Sequence, residues 1–338
     1  MNIGPEKLVA TSGKRPCVAA LTDGRLVIAW DADGEKKIVV ATEGGGGKFA
    51  VETVATSGKQ GGPDVFNASR LYVPSIATDG TGYMISWRCG IKEWGNQYGP
   101  AVFDGNYSHF MGQGFTTGAA RVAYDPLKKR YVLFSKDGAY RELDQQAREL
   151  ARGTLKVGKT GEKMALCIGP DGVRHAVMGG CQADPSAYIS SAMPSRVVWA
   201  SAKAYPEMGD DIAGYVGLGI ISPRKIAVGA IYRGALRINV IKGGKPVYPA
   251  DSLPSLGDAT KQERCGPTFC PLAGDLTAFW RQGNNVVGVS VKAALKGKAA
   301  ASVVCAGEMP QAAWNPAKGC ISMVYCRAGG VCVREVRP

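Results

Sequence analysis

One short phrase recurs along this chain, and its spacing leaves few folds open. It is clearest at Pro16–Trp30 (PCVAALTDGRLVIAW), where an apolar run meets a tight polar turn and a second apolar run ends on an aromatic. The phrase returns at Pro74–Trp87, at Ala120–Phe134 around Asp125-Pro126, and at Met164–Met178 around Asp171-Gly172. Weaker copies span Val216–Tyr232, Pro267–Trp280 and Gln311–Tyr325, which makes seven. The turns lie roughly 40–56 residues apart, a period that belongs to propellers of four-stranded blades. Each half is short and rich in Val, Ile, Leu, Ala and aromatics, which suits a buried strand better than a helix. Asp-Gly and Asn-Pro are turn formers, because Gly tolerates positive φ and Asx side chains bond their own backbone. Each phrase therefore reads as a hairpin of two inner strands, apolar on both faces because each blade packs between two neighbours.

The expectation is an all-β, seven-bladed β-propeller forming a single domain over 1–338. Its blades fall at about 13–60, 70–118, 119–160, 161–205, 213–250, 264–305 and 308–338 plus 6–12. The last assignment comes from two near copies. Residues 52–58 (ETVATSG) read as the outer strand of the first blade, after Lys37–Thr42 and the glycine run Gly44–Gly47. Residues 6–12 (EKLVATS) repeat that strand with no blade before it, so the N-terminal strand is expected to complete the last blade and close the ring. Two stretches fit less well. Arg141–Ala151 (RELDQQARELA) has helical spacing, and Lys242–Glu263 is a long connection or an irregular outer strand.

Bulk properties bound the function. No run approaches the length of a membrane span, and the N-terminus lacks the basic start and apolar core of a secretory signal. An extracellular or virion setting without a signal is one expectation, the cytoplasm the other. The net charge of +13 favours acidic partners, while no block of like charges or aromatic-basic motif points to nucleic acid. Ten cysteines stand beside only two histidines, with no CxxC pair, so neither a zinc site nor any cofactor is expected. Cys326 and Cys332 flank a Gly-rich loop and form a candidate disulfide. Covalent links to a partner through other thiols are the alternative, and buried reduced thiols are the simplest reading.

The candidate site lies where the second strands end. There an aromatic precedes a cation at Trp87-Arg88, Tyr232-Arg233, Trp280-Arg281 and Tyr325-Cys326-Arg327, with Phe134-Ser135-Lys136 as a looser copy. On one rim, Arg88, Arg233, Arg281, Arg327 and Lys136 would hold carboxylate or sulfate while aromatics stack on sugar rings. Arg15 and Arg70, before the first strands of two blades, reach the same face, as do Trp94 and Tyr98 on the loop after Arg88. The competing reading is that the pair repeats because the fold repeats. Glu93, Tyr232, Tyr325 and His109 are the candidates for acid–base chemistry. His175, in the middle of a strand, reads as a core histidine, and His109 as an outer-strand residue.

The phrases KRPCVAALTDGRLVIAW and SRLYVPSIATDGTGYMISWRCG resemble the opening and inner hairpin of sialidase-like and BNR-repeat propellers. The Asp-box turn of that superfamily is absent, its nearest trace being Phe103-Asp104-Gly105-Asn106-Tyr107. The resemblance implies a propeller and, at its furthest, a lyase or glycosidase acting on uronate or sulfated polysaccharide. The residues themselves favour a non-catalytic propeller that presents a basic, aromatic-lined face to an acidic glycan or a partner protein.

Overall fold

The computed structural model describes residues 1–56, 68–91, 95–103, 108–110, 120–135, 139–146, 148–154, 160–180, 185–191, 200–207, 212–249, 252–262, 265–272 and 274–337. Each recurrent phrase is a β-hairpin. Lys14–Ala20 pairs with Leu26–Ala32, Ala68–Thr78 with Tyr83–Ile91, Ala120–Asp125 with Arg130–Ser135, and Thr160–Ile168 with Arg174–Gly180. Ile212–Ser222 pairs with Lys225–Tyr232, Thr268–Leu272 with Asp275–Gln282, and Glu308–Asn315 with Cys320–Arg327. The sheets built on these hairpins are called I to VII in chain order. All their pairings are antiparallel, and the first strands pack in sequence around a common axis, that of VII against that of I.

The regular picture of seven equal blades closed by one strand is not what forms. Five sheets (I, II, III, IV and VI) are four-stranded blades; V and VII are five-membered and irregular. In V, two short strands, Lys245–Pro246 and Ser255–Asp258, share the edge of Ala235–Lys242. In VII, the N-terminal chain supplies two pieces rather than one strand. Asn2–Ile3 and Lys7–Ala10 lie along Gly330–Arg337, with a register slip between Leu8 and Ala10. Among the described residues no hydrogen-bonded ladder joins one sheet to the next, so the ring is held shut by packing between sheets and not by strand pairing.

That packing explains the doubly apolar strands. Val27 and Ala29 of I pack on Leu71, Ile85 and Trp87 of II, while Ile28 and Trp30 pack on Val324, Val331 and Val333 of VII. Alternate residues of one strand thus fill two different inter-sheet cores. The helical spacing of Arg141–Ala151 is overridden: the segment forms Ala139–Leu143 and Glu149–Thr154, the outer strands of III. Its polar turn is fixed by the Asp144 carboxylate, which accepts from Gln146 N at 2.9 Å and Arg148 N at 2.8 Å. One short helix, Val291–Leu295, capped by the Ser290 hydroxyl, was not foreseen.

Candidate functional site

The second-strand ends carry out two jobs of packing. The aromatics point at the preceding sheet: Trp30 of I toward VII, Trp87 of II toward I, Trp280 of VI toward V, and Tyr325 of VII toward VI. All four are buried, so they are cores and not a sugar-stacking surface. Tyr232 is half-buried and the Arg233 guanidinium lies over its ring, 5.0 Å from the centroid. The residue after the aromatic reaches forward instead. Asp31 accepts from Val73 N of sheet II at 3.4 Å, Arg281 pairs with Glu308 of VII, and Cys326 Sγ donates to Gly13 O, beside the first strand of I, at 3.6 Å. One residue of phase sends a side chain to the opposite face of a strand, which is why aromatic and polar residue alternate so regularly.

Of the expected cations, Arg15 is buried and holds the Asp31 carboxylate through Nε and Nη2, each at 2.7 Å, with Glu35 at 2.7 Å. Burial pushes the Asp31 carboxyl upward, against the pull of Arg15. Arg15 is thus a strut between sheet I and the start of II, because Asp31 also holds Val73. Arg233 and Arg327 are exposed. Arg281 and Arg327 line one cleft of about 290 Å³ between sheets VI and VII, with Asn284, Gly307, Glu308 and Cys326. Arg327 Nη1 lies 2.9 Å from Glu6, whose carboxylate also accepts from the Tyr325 hydroxyl and lies 3.5 Å from Arg334. The Tyr325 hydrogen bond, outweighing burial, holds the Glu6 carboxyl below its ordinary range. Around this cleft three guanidinium groups (Arg281, Arg327, Arg334) meet two carboxylates (Glu6, Glu308), an excess of one positive charge.

Arg70, Arg88, Tyr98 and His109 lie on strands Ala68–Thr78, Tyr83–Ile91, Gly95–Phe103 and Ser108–Phe110, and Arg88 is directly opposite Tyr98. Glu93, Trp94, Lys136 and residues 104–107 fall outside the described residues. Tyr325 is buried, and burial with the Glu6 bond raises its phenol above the ordinary value, so it holds its proton. His175 is buried, as expected of a core histidine, but stands second in Arg174–Gly180 and not in mid-strand, and burial pushes it down to about 4.

The first strands surround an axial pocket of about 300 Å³, lined by Arg15, Arg121, Gln311 and the thiols of Cys17, Cys167 and Cys265. Burial pushes these thiols up to about 12, 12 and 11, so at neutral pH they are not nucleophiles. No acid or histidine joins them among the described lining residues, and no three His, Cys, Asp or Glu side chains converge as a metal site among the described residues. Eight cysteines are described and all are free; seven are buried. The expected Cys326–Cys332 link is absent for a reason of register. Cys326 pairs with Val331 and Cys332 with Tyr325, so the two thiols sit on opposite faces and in different cores. Cross-linking to a partner through the described thiols is likewise unsupported, since none is exposed.

No family model matches this chain, and no curated protein matches it. Among solved structures it is similar to BBS1N, a β-propeller, in the crystal structure of its complex with ARL6DN. The TM-score is 0.59 at 10% identity, covering 100% of this chain and 96% of that one. That likeness establishes a β-propeller fold and nothing of activity. The sialidase-like resemblance is not confirmed by it. No helix among the described residues is long and apolar enough to cross a membrane.

Proposed function

We propose that this propeller is a non-catalytic binding module whose basic rim takes an acidic surface, either an acidic glycan or an acidic partner protein. The observation that carries the reading is the cleft between VI and VII, where Arg281 and Arg327 open together on a chain of net charge +13. Arginine forks suit carboxylate and sulfate, and an anionic ligand there competes for donors that Glu308 and Glu6 already orient. The lack of an acid–base pair among the described residues lining the axial pocket supports binding over turnover. BBS1N bound to ARL6DN is a propeller in a protein complex, which makes a protein partner reasonable here. Trp30, Trp87, Trp280 and Tyr325 take no part in it, because their rings fill inter-sheet cores.

The test is the pair Arg281→Ala and Arg327→Ala, made together, against immobilised heparin as a model sulfated glycan. We expect at least a tenfold loss of affinity and a shallower salt dependence, while Arg148→Ala, at a distant exposed turn, leaves both unchanged. Equal binding by wild type and the double variant contradicts the proposal.

A further inference from the structure

Three sulfur-bearing side chains form a cluster of their own. Cys265, Met309 and Cys326 pack together, buried, between the leading segment of sheet VI and sheet VII, with no other hydrophobic residue in the group. The three come from separate stretches of sequence, so the fold gathers them.

The backbone here repeats a feature of the fold, since Arg15 and Val73, also followed by proline, have φ 50° and 54°. Met309 is held at φ 55°, a left-handed conformation that a non-glycine residue adopts at a cost, and its N–H is fixed by the buried Gln262 carboxamide. What is particular to this copy is the sulfur side chain that the repeated backbone turn carries. Two of the sulfurs are held by polar contacts: Gln311 Nε2 donates to Cys265 Sγ at 3.6 Å, and Cys326 Sγ donates to Gly13 O at 3.6 Å. Two openings approach the cluster: Cys265 lines the axial pocket, and Cys326 lines the cleft beside Arg281 and Arg327.

We propose that Cys265, Met309 and Cys326 bind a soft monovalent ion of the Cu(I) class, through two thiolates and one thioether. Thiolate and thioether ligands select Cu(I), whereas zinc wants nitrogen, carboxylate or further thiolates in a four-coordinate shell, which this cluster lacks. Binding converts Cu(I) and two thiols into a copper bis-thiolate carrying one negative charge and releases two protons, with no change in oxidation state.

The full-length reduced protein is titrated anaerobically with Cu(I) held by a competing chelator, and the bound ion is examined by X-ray absorption. Wild type is expected to hold one ion more tightly than any other, in a shell of three sulfurs. Cys265→Ser with Cys326→Ser should lose that ion, and Met309→Leu should hold it at least tenfold more weakly in a shell of two sulfurs. Cys167→Ser, whose thiol lies elsewhere on the axial pocket, should behave as wild type. Should the double serine variant fail to fold, Met309→Leu alone decides, since it keeps the size of the side chain and removes only the sulfur. A wild-type protein with no such tight ion overturns the proposal. So does Met309→Leu with unchanged affinity and sulfur number.

Discussion

Arg15 shows how a side chain that reads as a ligand-binding rim cation becomes part of the frame. Arg15 is 4% exposed, and its guanidinium clamps Asp31, itself 2% exposed, which also holds the backbone of the next sheet. Breaking such a pair from one side leaves an uncompensated charge in the core. Arg15→Met should therefore cost about 3–5 kcal/mol, measured by urea unfolding, and adding Asp31→Asn should recover part of the loss. A drop below about 1 kcal/mol would mean that the pair is not desolvated in solution. His175 gives a second residue-level outcome. Its folded value is pushed down to about 4 by burial, from an ordinary 6.5, so below pH 6.5 the unfolded chain takes up a proton that the folded chain refuses. Its contribution is whole above pH 6.5 and is lost as the pH falls toward 4, up to about 3 kcal/mol by linkage. Glu142, whose carboxyl is lowered by Arg174 and Arg130 against burial, adds its own loss only below its ordinary 4.5. A His175→Gln variant should thus flatten the stability profile between pH 6.5 and 4.5 and leave the limb below it. An unchanged profile in that variant would count against a buried neutral histidine.

Between elements, contact is made by side chains meeting small residues. The Phe269 ring of sheet VI lies in a trough of three glycines from sheet V. A Cβ on Gly229 would stand 2.5 Å from Phe269 Cζ, one on Gly219 2.5 Å from Phe269 Cβ, and one on Gly217 2.2 Å from the Pro267 carbonyl. Gly229→Ala should cost roughly 1–3 kcal/mol by overpacking, read as a lowered melting temperature, and Phe269→Leu in the same chain should relieve some of it. Additive effects of the two changes would place the ring elsewhere. None of the three glycines is conspicuous in a sequence holding 46 of them. The hairpins were legible because their signal is local: an apolar run, an Asx or Gly turn, and a second run. All seven phrases fold as read. What depended on distant partners was not legible. The strand character of Arg141–Ala151 is imposed by pairing of its first half with Arg130–Ser135 and of its second half with Ala139–Leu143, and the partition of Trp280 and Arg281 to preceding and following sheets needs both neighbours in place. The single closing strand was inferred from the likeness of EKLVATS to ETVATSG, and that likeness could not reveal that the N-terminal copy breaks into two short pieces.

For the whole molecule, the seven hairpins arrange as a propeller with five regular four-stranded blades and two irregular sheets, held together by inter-sheet cores and latches instead of a continuous ladder. The candidate site was partly legible. The sequence brought Arg281 and Arg327 to the same end of successive hairpins, and the fold does join them in one cleft. Of their carboxylate partners, Glu308 opens the first strand of VII, while Glu6 lies at the far end of the chain from Arg327, so no spacing could pair those two. We propose that this surface binds acidic ligands without turning them over. It is tested most directly by incubating the intact protein with sulfated and uronate-containing polysaccharides, following bound polymer across a salt series together with unsaturated uronate absorbance and new reducing ends. The account predicts binding that weakens steadily as salt rises, with no product of either kind. Binding indifferent to salt, or bond cleavage that grows with protein concentration, would contradict it.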